Sequence, residues 1–282
     1  MRILRSLGLV LLFASTLIAQ SRPDNTSYCG QLTQTLNQGK ALEPFCEWVL
    51  SFDRRLPDII GDQQTHRYHT DNGKDRKLID TTSAKIAYID DRPQFSEIEI
   101  NHVKIAHQDE GPEIMKLYGA WSTDDFGGAL RLLFGPHART LFTYAGETSW
   151  QGQRVLIFNY DVSLANNLRW EIQARTDLSH QLVSTFPAYR GRILLNPSNS
   201  ELVRFERQTY VIEKGFPLRY GGNQVDYKRL PLGDGTSFVL PVESTVTFCH
   251  DEKHHRCEVN NTTFENWQKF GARTRILTGA NP

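Results

Sequence analysis

Ser237-Phe-Val-Leu-Pro-Val-Glu-Ser-Thr-Val-Thr-Phe-Cys249 places apolar side chains at even spacing. Phe238, Leu240, Val242, Val246 and Phe248 fall on one face, with Val239, Glu243, Thr245 and Thr247 between them. Period two is the repeat of a pleated strand, so this pattern predicts one apolar and one largely wet face. Strands of that kind belong to antiparallel sheets that cover a core on one side. Working upstream, Tyr189–Leu195 leads through the turn Asn196-Pro197-Ser198-Asn199 into a long extended segment, Glu201–Ile212. A further segment, Gln224–Leu230, ends at Pro231-Leu-Gly-Asp-Gly235. Together these segments predict an antiparallel meander.

The rest of the chain adds strands and a few helices. Gln64–Thr70, Lys85–Ile89 and Ser96–Ala106 read as extended, the last with a turn at Asn101-His102. Asp71-Asn-Gly-Lys-Asp75 is turn chemistry, because Asn and Gly accept positive φ. Leu141–Ser149, a turn at Trp150-Gln-Gly152 and Arg154–Tyr160 form a hairpin pattern, followed by a strand over Leu168–Arg175. Cys29–Leu56 has helical spacing at Leu32 and Leu36 and at Phe45, Val49 and Phe52, with a break at Asn37-Gln-Gly39. Pro44 is expected in the first turn of the second helix and Pro57 beyond its end. Ser122-Thr-Asp-Asp125 has the form of a capping box and opens a helix to Phe134, closed by Gly135-Pro136. Gly127 and Gly128 within it suit close packing on the sheet better than phosphate binding, since no Lys-Ser/Thr follows them. The fold class is therefore α+β and mainly β, a twisted open antiparallel sheet with N-terminal helices and one internal helix packed on it.

Composition narrows the function classes. The 282 residues carry 32 basic and 32 acidic side chains, so nothing global draws the protein to nucleic acid. Arg2 and Arg5, the apolar run Leu7–Ile18 and the small residue Ala19 read as a secretory leader over 1–19. The run is shorter than the ~20 residues of a membrane span, and no second run is longer, so the mature chain is expected to lack a transmembrane segment. Residues 20–282 show no linker and no repeat, and read as a single β-rich domain in the periplasm or outside the cell. Four cysteines in an exported chain, Cys29, Cys46, Cys249 and Cys257, suggest two disulfides with three connectivities open. Spacing favours the local pairs. Asn25-Thr-Ser27, Asn260-Asn-Thr262 and Asn261-Thr-Thr263 are glycosylation sequons.

No catalytic signature stands out. The densest cluster, Cys249-His-Asp-Glu-Lys-His-His-Arg-Cys257, offers His250, His254 and His255 as metal ligands. The spacing of His250 and His254 matches a helical metal-hydrolase motif, but Asp251 stands where that motif needs Glu, and the surroundings are strand and turn. A disulfide-clamped hairpin tip with solvated imidazoles is the simpler reading. His66 and His69 lie three apart on a strand and point to opposite faces. No Gly-x-Ser-x-Gly elbow, nucleophilic Cys signature or dinucleotide fingerprint occurs. Arg204 and Glu206 share one strand face. Arg207 interrupts the other face after Val203 and Phe205, so it needs a carboxylate partner or a wet cavity.

Leu56-Pro-Asp-Ile-Ile-Gly-Asp-Gln-Gln-Thr65, Tyr189-Arg-Gly-Arg-Ile-Leu-Leu-Asn-Pro197 and Leu240-Pro-Val-Glu-Ser244 with Cys249 and Cys257 resemble a family of exported acidobacterial proteins. No residue-level activity is attached to that family, so no site carries over from it. More distantly, helices beside a curved antiparallel sheet are similar to the periplasmic lipoprotein carriers and the sensors built like them. The Tyr-x-Gly-x-Ile strand, turn and Leu-Val-Arg strand carry that likeness. It implies an open half-barrel whose concave apolar face holds acyl chains and is plugged or flanked by the N-terminal helices. The leading expectation is a non-catalytic binder of an apolar ligand, lined by candidates such as Phe142, Tyr144, Phe158, Phe205 and Phe238, without a cofactor. A lipid or lipoprotein is the expected partner. The alternatives are an interaction or sensor module for another envelope protein, and a metal-binding protein or metal-dependent enzyme at His250–His255.

Overall fold

A computed structural model describes residues 25–51, 57–89, 92–105, 128–167, 169–175, 181–233, 235–251 and 253–269. The leader, the capping box at 122–125 and Gly127 lie outside them. The described residues include three helices, α1 (Asn25–Thr33), α2 (Gly39–Leu50) and α3 (Gly128–Phe134), and a 3-10 turn at Leu164–Asn166. The strands are β1 (Ile59–Thr70), β2 (Lys77–Ile89), β3 (Arg92–Ile100), β4 (Val103–Lys104), β5 (Leu141–Trp150), β6 (Gln153–Val162) and β7 (Ile172–Arg175). They continue with β8 (Leu182–Thr185), β9 (Ala188–Leu195), β10 (Leu202–Val211), β11 (Tyr220–Pro231), β12 (Ser237–Cys249) and β13 (Cys257–Lys269). Among the described residues, eleven strands form one open antiparallel sheet in the order β4-β3-β2-β1-β13-β12-β11-β10-β9-β6-β5, and β7 and β8 pair separately. This is the open, mainly β architecture expected from the sequence.

Turn chemistry sets the hairpins. Asn101 and His102 take φ of 49° and 66° between β3 and β4, and Gln151 and Gly152 take 47° and 81° between β5 and β6. Two successive left-handed residues match the twist of the flanking strands, which is why short hairpins use them. The helices follow from their apolar faces. Leu42, Phe45, Cys46 and Val49 of α2 are buried, and Cys29 of α1 is bonded to Cys46. The second helix begins at Gly39, after Gln38 in a left-handed conformation, so Pro44 lies inside the helix and not in its first turn. There its ring deprives the Lys40 carbonyl of the usual hydrogen bond. Packing of the flanking residues on the sheet holds the helix together despite that loss.

The strict alternation expected for β12 is broken. Asp226 pairs with Glu243 and Tyr227 with Pro241, so Val242 is an extra residue in a β-bulge. A bulge reverses which side chains point to which side. Val239 accordingly joins the core under the helices, Phe238 and Leu240 join a second cluster with Ile59, Ile86, Tyr88, Phe264 and Trp267, and Phe248 packs against Ile172, Phe216 and Leu218 beside the β7–β8 pair. The five even-numbered apolar residues thus serve several packing units instead of one face.

Candidate functional site

Successive strand residues alternate faces and directly paired residues share one. On the helix-covered side, Phe142 pairs with Tyr160, Tyr160 with Gly191, and Gly191 with Arg207. Around this row lies a single contiguous apolar cluster that joins all three helices to β5, β6, β9, β10, β11 and β12. Its rings form a chain from helix to sheet. Phe45 of α2 meets Phe134 of α3 edge-on at 5.5 Å, and Phe134 stacks on Phe142 at 4.9 Å. Tyr144 lies 5.6 Å from Phe158, Tyr160 stacks on Phe205 at 5.8 Å, and Tyr189 meets Trp170 at 4.9 Å.

Four of the five aromatic candidates therefore belong to this layer. Phe142, Phe158 and Phe205 are buried and Tyr144 is partly buried at its margin, whereas Phe238 packs in the neighbouring cluster. The N-terminal helices cover the sheet as the resemblance implies. Phe45, Phe134, Tyr160, Tyr189 and Trp170 were not among the ligand-lining candidates of the sequence. Their alternation or helical spacing marks them as core, but only the strand order brings them to the same layer.

The layer has a polar margin. Tyr160 donates its hydroxyl to the Glu206 carbonyl at 2.6 Å, and burial raises the pKa of that phenol well above its usual value. Gly191 makes room for this bond, since a Cβ there would come within 2.5 Å of the Tyr160 hydroxyl. Beyond it, the buried Arg207 lies 4.0 Å over the Trp170 ring and donates from Nε to Asn223 Oδ1 at 3.1 Å. The same row continues through Val246 and Asn260 to Arg67, which is ion-paired with Asp80. Asn223 Nδ2 and Thr82 Oγ1 are buried without a hydrogen-bond partner among the described residues. Apolar rings thus give way to buried polar groups across β11–β2.

The cysteine pairs are Cys29–Cys46 and Cys249–Cys257. Asp251 organises the tip between the second pair by accepting backbone hydrogens from Arg256, Lys253 and His255 at 2.6, 3.0 and 3.1 Å. His254 lies against the Tyr220 ring at 4.5 Å, His250 Nε2 is 3.8 Å from Glu258, and His255 is exposed. Among the described residues, no three His, Cys, Asp or Glu side chains converge in a metal-holding group. His66 and His69 diverge as expected, towards Thr81 and Asp71 respectively. Arg204 and Glu206 do share a face, bonded at 2.6 Å, and Arg204 also binds Asp226 at 2.8 Å and lies 4.4 Å over Trp150.

Two cavities open on the sheet face that carries none of the described helices. One, of about 350 Å³, lies over β1–β3 and β13 beside the Lys85–Asp62 pair. The other, of about 570 Å³, crosses β5, β6 and β9–β12. No described helix is long and apolar enough to cross a membrane.

No family model and no curated protein matches the chain. Among solved structures it is similar to a domain from Vibrio parahaemolyticus whose description proposes outer membrane lipoprotein sorting. The two are 11% identical, with 87% of this chain and 95% of that one covered at a TM-score of 0.38. A DUF1329 family protein from Desulfovibrio piger is 8% identical, with 89% of this chain and 95% of that one covered at a TM-score of 0.33.

Proposed function

We propose that this chain is an exported, non-catalytic binding protein that holds an apolar ligand, a lipid or the acyl part of a lipoprotein, between its helices and its sheet. One observation carries the reading: a single aromatic-rich cluster joins three short helices to six strands. Rings and acyl chains offer each other the same dispersion contacts as rings and aliphatic side chains do. An acyl chain slid into that layer would gain roughly 0.8 kcal/mol for each CH₂ taken from water. That gain offsets the exposure of helix surface as α1 and α2, stapled by Cys29–Cys46, move aside as one unit. The buried polar groups beyond Arg207 border the layer where a ligand's polar end would emerge. Two disulfides favour an oxidising compartment, in keeping with removal of residues 1–19 and export of 20–282 as one β-rich unit.

Native mass spectrometry of the protein from its own source, with organic extraction, tests this reading. The expected result is co-purified lipid, and saturable uptake of a fluorescent fatty acid by protein stripped of it. Protein that is bare as isolated and takes up no fluorescent fatty acid would sink the proposal.

A further inference from the structure

We propose that the sheet face opposite the described helices carries a second binding site, whose ligand is a neutral oligosaccharide. The 570 Å³ cavity there has the volume of a small-molecule site. Its floor is two neighbouring rows of directly paired residues. One runs from Leu141 on β5 to Thr247 on β12, the other from Thr143 to Thr245. Five interstrand steps of about 4.8 Å make the trough roughly 24 Å long, the shape of a chain of sugar rings lying across the strands. Gly222 keeps the floor open where Tyr220 lies across it; a Cβ at Gly222 would stand 2.6 Å from the Tyr220 hydroxyl. The Tyr220 ring lies 4.5 Å from the His254 ring and supplies an aromatic surface at the β12 end.

Charge decides the ligand class. Three arginines and two carboxylates line the trough, but Arg207 belongs to the alternate row and turns its guanidinium to Trp170 on the covered side, which leaves Asp161 and Glu206 facing Arg190 and Arg192. Arg192 binds Glu206 at 2.6 Å, Arg190 lies 5.4 Å over the Tyr210 ring, and Tyr210 donates to Asp161 at 3.0 Å. The lining is charge-balanced, which gives an anion or a cation little advantage. An extended peptide gains its affinity from unpaired strand backbone, and the strands beneath most of this trough are paired on both sides. A lipid surface would find only one large aliphatic side chain, Leu141.

What the trough does offer is neutral hydrogen-bonding capacity. Asn159 and Gln208 reach it with amide groups that make no side-chain hydrogen bond among the described residues, and each presents two donors and an acceptor oxygen. Thr143 and Thr247 add hydroxyls that can donate or accept. A polyhydroxylated, uncharged chain matches that inventory group for group, and its C–H faces suit the Tyr220 ring.

Calorimetric titration of the intact protein with short neutral glucan, mannan, xylan and chitin oligosaccharides tests the assignment. Inorganic phosphate, an anionic oligosaccharide and phospholipid vesicles serve as the comparison probes. At least one neutral series should bind saturably, with affinity rising with chain length until the trough is filled. Asn159→Ala and Gln208→Ala should each weaken binding about fivefold, the net weight of one hydrogen bond, with fatty-acid uptake unchanged. Binding of none of the neutral series, binding confined to the comparison probes, or neutral binding indifferent to both substitutions would overturn it. Both side chains point away from the helix-covered layer, so failure here leaves the lipid reading standing, and the converse holds as well.

Discussion

Gly191→Ala is the perturbation with the most specific consequence. A Cβ at this position would fall inside van der Waals contact of the Glu206 carbonyl oxygen and within 2.5 and 2.7 Å of the Tyr160 hydroxyl oxygen and Cζ. Tyr160 is 2% exposed, and its hydroxyl donates to that same carbonyl at 2.6 Å. Two costs add. Forcing one carbon into a packed site costs about 1–3 kcal/mol, and separating a buried hydroxyl from its acceptor about 1–3 kcal/mol more. The expected total is about 2–6 kcal/mol, and for a chain of this size each kcal/mol lowers the melting temperature by roughly 2–4 °C.

Urea unfolding followed by circular dichroism measures the change, and Tyr160→Phe separates the two costs. Alone, Tyr160→Phe should cost about 1 kcal/mol, since it removes one hydrogen bond and leaves the ring in place. In the Tyr160→Phe background Gly191→Ala should remain destabilising, because the Glu206 carbonyl and the ring still occupy the space. Its cost should nevertheless fall by about the hydrogen-bond contribution. A Gly191→Ala protein within about 0.5 kcal/mol of wild type would refute the close approach of β9 to β10 at this point.

The Cys249→Ser/Cys257→Ser protein should lose about 2.5 kcal/mol and Cys29→Ser/Cys46→Ser about 3 kcal/mol, from closure of loops with separations of 8 and 17 residues; thiol titration without reduction should find no reactive cysteine in wild type. Arg204→Met should cost about 3–5 kcal/mol by urea denaturation, because it strands the largely buried carboxylate of Asp226 and leaves Glu206 only Arg192, and a neutral result would mean that Arg204 does not hold Asp226. The backbone hydrogen bonds to Asp251, that of Arg256 foremost, hold its carboxyl below the usual 3.8. A depressed folded value contributes stability that is present above 3.8 and lost as pH falls through the lower folded value, so the advantage of wild type over Asp251→Asn should shrink over that acid range; an advantage that grows on acidification would reverse the assignment.

Local chemistry made the hairpins legible: Asn101-His102 and Gln151-Gly152 adopt positive φ where turn residues stand. The paired cysteines were legible for the same reason, since each pair is close in sequence. The bulge at Val242 was not, because an extra residue in a strand leaves no mark on composition, and it put Phe238 and Leu240 on the opposite side of the strand from Val246 and Phe248. Nor was the neighbouring of β6 and β9, which depends on the β7–β8 pair being set aside from the main sheet. The aromatic candidates could be named but not sorted, since a ring's burial depends on which strand lies beside its own. The trough was out of reach for the same cause. Asn159, Gln208 and Gly222 look like ordinary strand residues until the register aligns them.

The two proposed sites share strands without sharing side chains, and that follows from the pleat. Tyr160 points to the helices while its neighbours Asn159 and Asp161 point to the trough, and Arg207 and Gln208 divide in the same way. Each face can therefore carry its own chemistry, aromatic and dry on one side, amide-rich and charge-balanced on the other. What they do share is backbone, and the tightest shared point is Glu206. Its carbonyl takes the Tyr160 hydroxyl from the covered side, while its carboxylate binds Arg192 and Arg204 on the open side. A substitution at Glu206 would mix the two faces, whereas Asn159 and Gln208 carry no bond to the core. For that reason the separate tests belong on those two amides, and a loss at one face can be read without reference to the other.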